Sequence, residues 1–375
     1  MAGLYLHIPF CKQACHYCDF HFSTDDRHLS ELCNAMALEL GFQKNYLTGP
    51  VETIYFGGGT PSLLKHAEIV MLFNAIHANF SLDPNAEITL EANPDDLTKE
   101  KLRVFQEMGI NRLSIGIQSF DEGILKFLNR AHDAGTAQRC LREVREAGVK
   151  NVSIDLIYSI PGLSRKAWEE TLEQALQFSP EHISSYALTI ENKTVFGNWS
   201  KRGKLQPMDE ESASEQFEVL IDMLTAAGYE HYEISNFCKP GLHSRHNSNY
   251  WKQSHYLGVG PSAHSYDGSS RQSNVRNNAL YTRSLEKGII PFEREILSRE
   301  NKINEYILTT LRTTWGCDLN FLKQQLNDDL LQRRQAYISQ IQLQGFATLE
   351  ANTLKLTDKG KLLADKIVED LIVPV

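Results

Sequence analysis

No stretch of this 375-residue sequence approaches the roughly 18 consecutive apolar residues that cross a bilayer. Its first residues, MAGLYLHIPF, lack the basic segment and long apolar core of a secretory signal. Spanning helices and export are therefore not expected; the chain reads as cytoplasmic, with peripheral membrane contact left open. Positive charge is scarce: 38 Lys and Arg against 47 Asp and Glu give a net charge of −9, so no nucleic-acid partner is expected. Disorder-type composition is missing too, since 42% of residues are hydrophobic and 23% charged, the balance of a folded chain. Cysteine is limited to seven, an odd number, which argues for free thiols or metal ligands over a disulfide framework.

Three of the seven fall within eight residues. Cys11, Cys15 and Cys18, in HIPFCKQACHYCDF, have CxxxCxxC spacing, whereas zinc sites and cubane clusters normally take four ligands. The spacing alone leaves several readings open. These are zinc completed by His16 or His21, a redox pair of Cys15 and Cys18, coincidence, or a [4Fe-4S] cluster whose fourth iron is left for a chelating small molecule. Gly57-Gly58-Gly59-Thr60, at the next strand end, exposes N–H and C=O groups suited to a ligand with both an amine and a carboxylate. Cys33, Cys140, Cys238 and Cys317 are scattered and read as small packed thiols.

Six short apolar or β-branched runs, at 4–10, 53–59, 87–93, 112–119, 151–160 and 182–190, alternate with segments of helical spacing. Strict alternation predicts parallel strands joined by right-handed crossovers. GGGTP, EANPD, GIQSF, DLIYSIPG and the cysteine loop all follow predicted strands, and their convergence on one mouth favours a barrel over an open edge. Six units where eight would close predict an α/β fold, an incomplete (β/α)6 barrel over residues 1–230. Residues 231–295 are rich in His, Asn, Tyr and Gly without clear periodicity and read as a connecting, functional loop region. Residues 296–375 read as helices and a hairpin, a small α+β winged-helix-like domain. Its ten Lys or Arg balance ten Asp or Glu, so docking is expected over DNA binding.

The cysteine loop with Tyr17 before its last Cys, then GGGTP, Glu91, Gln118, Arg130 and Asp155 in order, resembles the radical S-adenosylmethionine superfamily. Within it, HIPFC, FGGGTPS, EANP, GIQSF, NRAH and DLIYSIPG resemble the oxygen-independent coproporphyrinogen III dehydrogenase (HemN) group, most closely its HemW branch. The resemblance implies that Cys11, Cys15 and Cys18 hold a [4Fe-4S] cluster flanked by Tyr5 and Tyr17, with S-adenosylmethionine as the fourth ligand. It further implies that Gly58, Gly59 and Thr60 contact S-adenosylmethionine and that Glu91, Gln118, Arg130 and Asp155 line its site. A carboxylate such as Glu91 suits a ribose hydroxyl or amine, and Arg130 a carboxylate.

Two departures separate this sequence from the dehydrogenase pattern. That pattern has a further Cys two places after the triplet, where this chain reads Cys18-Asp19-Phe20, and a leader before the cluster strand, where this chain has Met1 to Gly3. Both resemble HemW, regarded as a haem chaperone, so haem binding and delivery to apo haem proteins of respiration are expected. Porphyrinogen decarboxylation and a non-catalytic iron-sulfur protein are the alternatives. His246-Asn247-Ser248-Asn249-Tyr250-Trp251 matches an HNxxYW motif associated with HemW. His246 would be an axial haem ligand, with Tyr250 and Trp251 on the macrocycle, against the plainer reading of a hydrogen-bonded structural His.

Overall fold

In the computed structural model, which describes residues 2–374, each of the six runs becomes a strand. They are β1 (Ala2–Ile8), β2 (Val51–Gly58), β3 (Leu82–Ala92), β4 (Arg112–Gln118), β5 (Val152–Tyr158) and β6 (His182–Ala187). Neighbours in this series are all parallel, because intervening helices such as Leu29–Phe42 and Ala134–Glu146 return the chain across one face. Alternation sorts the two faces of the sheet. Leu4, Leu6 and Ile8 on β1, Ile54 and Phe56 on β2, and Leu113, Ile115 and Ile117 on β4 join Leu32, Met36, Phe73, Leu141 and Trp168 of the helices in one buried core. The intervening residues, among them Tyr5, His7, Tyr55, Glu91, Ser114 and Asp155, fall on the opposite face, which is therefore polar and aromatic.

Residues 231–295, expected as a loop region, hold ordered strands and two helices, Arg245–Trp251 and Asn278–Leu285. β7 (Glu230–Glu233) and β8 (Asn236–Cys238) extend the sheet antiparallel beyond β6. β9 (His255–Val259) lies parallel to β1 on its free side, and β10 (His264–Tyr266), β11 (Ser270–Asn274) and β12 (Phe292–Ile296) continue antiparallel from it. The resulting order is β12-β11-β10-β9-β1-β2-β3-β4-β5-β6-β8-β7, and its ends do not pair with each other, so the barrel stays open. These added strands bury polar residues such as Asn236, Ser265, Gln272 and Asn274, which removes the apolar period that would mark them in sequence. The HNxxYW motif lies on the helix Arg245–Trp251, capped by Ser244, whose Oγ accepts from the Asn247 N–H at 3.3 Å.

The C-terminal region has its own core, built from Ile303, Ile307, Leu322, Ile338, Leu354 and Leu371. Helices Arg299–Leu311, Leu319–Gln325 and Leu330–Leu343 alternate with β13 (Cys317–Asp318) and the hairpin of β14 (Ala347–Glu350) and β15 (Thr353–Leu356), in the winged-helix-like order expected. The domain docks on the β7–β8 edge. Arg312 donates to buried Glu233 at 2.9–3.0 Å and stacks its guanidinium 5.4 Å from the Trp251 ring, and buried Lys361 meets His231 Nδ1 at 3.0 Å. Among the described residues no helix is long and apolar enough to cross a membrane.

Candidate functional site

β1 hands the chain directly to the cysteine loop. The loop closes at its base, where the Cys11 N–H donates to Ser23 O at 3.0 Å and the Ser23 N–H to Pro9 O at 2.9 Å. Asn129, in the left-handed region at φ 58°, clamps its crest: Nδ2 donates to Ala14 O at 2.7 Å while Gln13 Nε2 donates to Asn129 Oδ1 at 3.0 Å. His16 bonds Phe127 O through Nδ1 at 3.0 Å and packs edge-on against Trp199, and His21 bonds Asn278 through Nε2 at 2.7 Å. Neither histidine lines the cavity that the three cysteines share. The zinc reading, which needs His16 or His21 as a fourth ligand, finds neither in the cavity. Burial pushes the Cys18 thiol up to about 12 and also raises Cys11, so these sulfurs want a metal's charge to ionise them.

The shared cavity, about 490 Å³, lies at the C-terminal ends of β1–β6. Cys11, Cys15, Cys18 and Tyr17 line it together with Gly58, Gly59, Thr60, Glu91, Gln118, Arg130 and Asp155. Gly58 sits at φ 108°, and a Cβ there would stand 2.7 Å from the His7 ring; one on Gly59 would stand 2.6 Å from Phe10 O. Only glycine lets this backbone reach both the cysteine loop and the cavity. Thr60 Oγ1 donates to Cys11 Sγ at 3.4 Å.

Glu91 accepts from Tyr55 OH at 2.7 Å and from the Gly58 N–H at 3.2 Å, so β2 and β3 fix its carboxylate toward the opening. Burial raises its pKa to about 7, against the lowering effect of the Tyr55 bond and with the Asp155 charge adding to the rise. Asp155 is lifted to about 6 by burial despite the opposing Arg112 charge. Two carboxylates poised near neutrality on one cavity wall are the electrostatic mark of a ligand site.

Gln118 ends β4 in the left-handed region at φ 66°, where the β4–β5 register shifts, which turns its side chain into the mouth. Arg130 is committed within the protein: it donates to Asn93 Oδ1 at 2.6 Å, to Gly116 O at 2.8 Å and to Cys15 Sγ at 3.3 Å. Its Nε, buried, has no partner among the described residues. The guanidinium therefore fastens the cysteine loop to the β3 and β4 ends and keeps one donor uncommitted.

Four expected residues lie off this cavity. Tyr5 sits one layer down, bonded through its hydroxyl to His7 Nδ1 at 3.0 Å, and lines a second cavity. His246 is 2% exposed, and both ring nitrogens are taken, Nδ1 by Thr53 Oγ1 at 2.8 Å and Nε2 by Tyr250 OH at 2.9 Å. Burial lowers its pKa to about 3. The axial haem ligation expected of His246 thus finds no open nitrogen here. Trp251 faces Arg312 of the C-terminal domain, away from Tyr250, which lines the second cavity. Glu87 on β3 holds the motif helix in place by accepting from the Arg245 and His246 N–H groups at 3.1 and 3.0 Å. Asn247 from the same helix, with Tyr55, Asn93 and Ser114, also reaches the first cavity. Sequence reasoning missed these four, although Tyr55, Asn93 and Ser114 share the inward alternation of Glu91 and Asp155.

The Radical SAM superfamily model matches residues 5–175, and the HemN C-terminal domain model residues 297–363. Relatives named heme chaperone HemW include one from Bacillus subtilis, 34% identical over 98% of both chains. One from Mycobacterium tuberculosis is 34% identical over 99% of this chain and 94% of its own. One from Escherichia coli is 38% identical over 70% and 69%. The solved E. coli coproporphyrinogen III oxidase (HemN), described as a radical SAM enzyme, superposes with a TM-score of 0.85 at 22% identity, covering 99% of this chain and 90% of that one.

Proposed function

This chain belongs to the HemW family within the radical SAM superfamily, and on that footing we propose that it binds haem and hands it to haem proteins, those of respiration among them. The observation that carries the reading is similarity along the whole chain, C-terminal domain included, to relatives named for heme chaperoning. In this reading Cys11, Cys15 and Cys18 hold a [4Fe-4S] cluster and S-adenosylmethionine occupies the first cavity. Together the two would supply one-electron radical chemistry at the barrel mouth.

The residues around them have separable tasks. Gly58, Gly59 and Thr60 present backbone and hydroxyl groups to the amino acid end of S-adenosylmethionine. Glu91, held by Tyr55 and Gly58, accepts from a ribose hydroxyl or the amine; Asp155 and Gln118 line the remaining wall, and Arg130 holds Cys15 in register. The likeness to coproporphyrinogen III oxidase speaks to fold alone, and Phe20 stands where that enzyme pattern has Cys.

One anaerobic sample tests the reading: haem titration and coproporphyrinogen III turnover are measured side by side on reconstituted protein. Saturable, near-equimolar haem binding without turnover is the expected result. Sustained conversion to protoporphyrinogen IX would replace the chaperone reading with the decarboxylase one.

A further inference from the structure

The second cavity, about 430 Å³, has no task in the reading above. Its volume falls in the roughly 300–1,000 Å³ range of small-molecule sites. It opens between β1, the residues just after the cysteine triplet, the strands β9 and β10, and Arg276 just after β11, and Asp19 and Phe20 line both cavities. Its walls bring together three kinds of group: imidazoles, flat aromatic rings and a guanidinium.

Of its three histidines, His264 alone has neither ring nitrogen engaged among the described residues. His7 spends both ring nitrogens, on Tyr5 OH and on His21 O at 3.0 and 3.1 Å, and His21 bonds Asn278. His264, at the start of β10, is exposed to the cavity and has no hydrogen-bond partner among the described residues. Burial, with the Arg271 and Arg276 charges, lowers its pKa, so its imidazole is neutral and one ring nitrogen, set by the tautomer, offers a lone pair.

Arg276 stands across from it. Its guanidinium donates to Asp19 O at 3.2 Å and pairs with no carboxylate among the described residues. An unpaired guanidinium at a cavity rim is suited to a carboxylate ligand. Phe20, 67% exposed, is a large apolar ring offered to the same space. Tyr250 forms part of the wall, held by His246 and set edge-on to Tyr256 at 4.7 Å between ring centroids. An imidazole for iron, rings for a planar macrocycle and a guanidinium for a carboxylate are the complement of haem.

We propose that the second cavity is the haem site, with His264 as the axial ligand, Arg276 receiving a propionate, and Phe20 and Tyr250 against the macrocycle. The placement rests on the chaperone reading and adds to it. It also gives the HNxxYW helix a role without ligation: His246 fixes Tyr250, and Tyr250 walls the haem.

The test is haem titration of the anaerobically reconstituted full-length protein, followed by difference spectra in the Soret region. His264 and Arg276 are both exposed, so His264→Ala and Arg276→Ala should fold, which circular dichroism checks. His264→Ala is expected to lose the imidazole-ligated Soret signature, and added free imidazole to restore it. Arg276→Ala is expected to keep that signature and to weaken binding about tenfold, the usual effect of losing one charge-assisted hydrogen bond. Saturable binding with wild-type spectrum and affinity in both variants overturns the placement and leaves the chaperone reading standing. Failure of the unaltered protein to bind haem saturably overturns both.

Discussion

His246 Nε2 and the Tyr250 hydroxyl lie 2.9 Å apart, one turn from each other on the same seven-residue helix, while His246 Nδ1 reaches across to Thr53 on β2. The histidine is a brace between helix and sheet. His246→Ala should leave two hydroxyls unpaired and a void in the interior, lowering stability by about 2–4 kcal/mol. Tyr250→Phe, which removes a single bond, should cost about 1 kcal/mol. Denaturant midpoints measure both; a His246→Ala protein as stable as wild type would refute the brace.

The cysteine loop makes a sharp prediction about metal content. After anaerobic reconstitution the chain should hold about four irons, and Cys11→Ala, Cys15→Ala or Cys18→Ala should each abolish them. Cys33, Cys140 and Cys317 are buried in the two cores and Cys238 is buried on β8, and their replacement by Ala should leave the iron count unchanged. Stoichiometric zinc in place of iron-sulfur absorbance would overturn the cluster assignment.

At Gly58 the constraint is steric. Ala there must adopt φ 108° and push the His7 ring from 2.7 Å, a strain of about 1–3 kcal/mol. Because the same residue donates to Glu91, Gly58→Ala should weaken S-adenosylmethionine binding by about tenfold or more, read by calorimetric titration. Unchanged affinity would remove this backbone from the site.

Glu91 predicts a pH dependence with a definite sign. Its pKa in the fold, about 7, lies above the ordinary 4.5, so the fold favours the neutral acid. Its contribution is fully present below pH 4.5 and is lost as pH rises through 7. Ligand-free protein should therefore lose stability between pH 5 and pH 8, on the order of 2 kcal/mol from this group once water in the open cavity is allowed for. Glu91→Gln should flatten that slope in urea titrations while weakening S-adenosylmethionine binding. An equally steep slope in the variant would assign the dependence elsewhere, with Asp155 next.

Six strands were legible because their helix-facing positions repeat with period two, as in Leu4, Leu6 and Ile8 or Leu113, Ile115 and Ile117. β11, Ser270–Asn274, carries no such signal: its inward residues Gln272 and Asn274 are polar, and Asn274 Nδ2 donates to tertiary partners, Glu39 and Gly260 O. The helix Glu210–Ala226 was not singled out, although Asp209 caps it and Glu210 and Glu211 open its first turn, a readable start signal. In the site, each strand-end motif marked its own residue, so the cavity's rim could be read in order along the chain. Asn247 could not, because it arrives from a helix too short to show a period.

The strand that carries the cysteine loop waits longest for its neighbour. β1 is flanked by β2 on one side and by β9 on the other, and β9 begins at His255. At roughly 5–20 residues per second, a ribosome separates those two strands by on the order of ten to fifty seconds. Throughout that interval one edge of β1 has no backbone partner, and the helix that braces Thr53 has not been made. The cysteine loop is thus among the first parts of the chain to be synthesised and among the last to be enclosed.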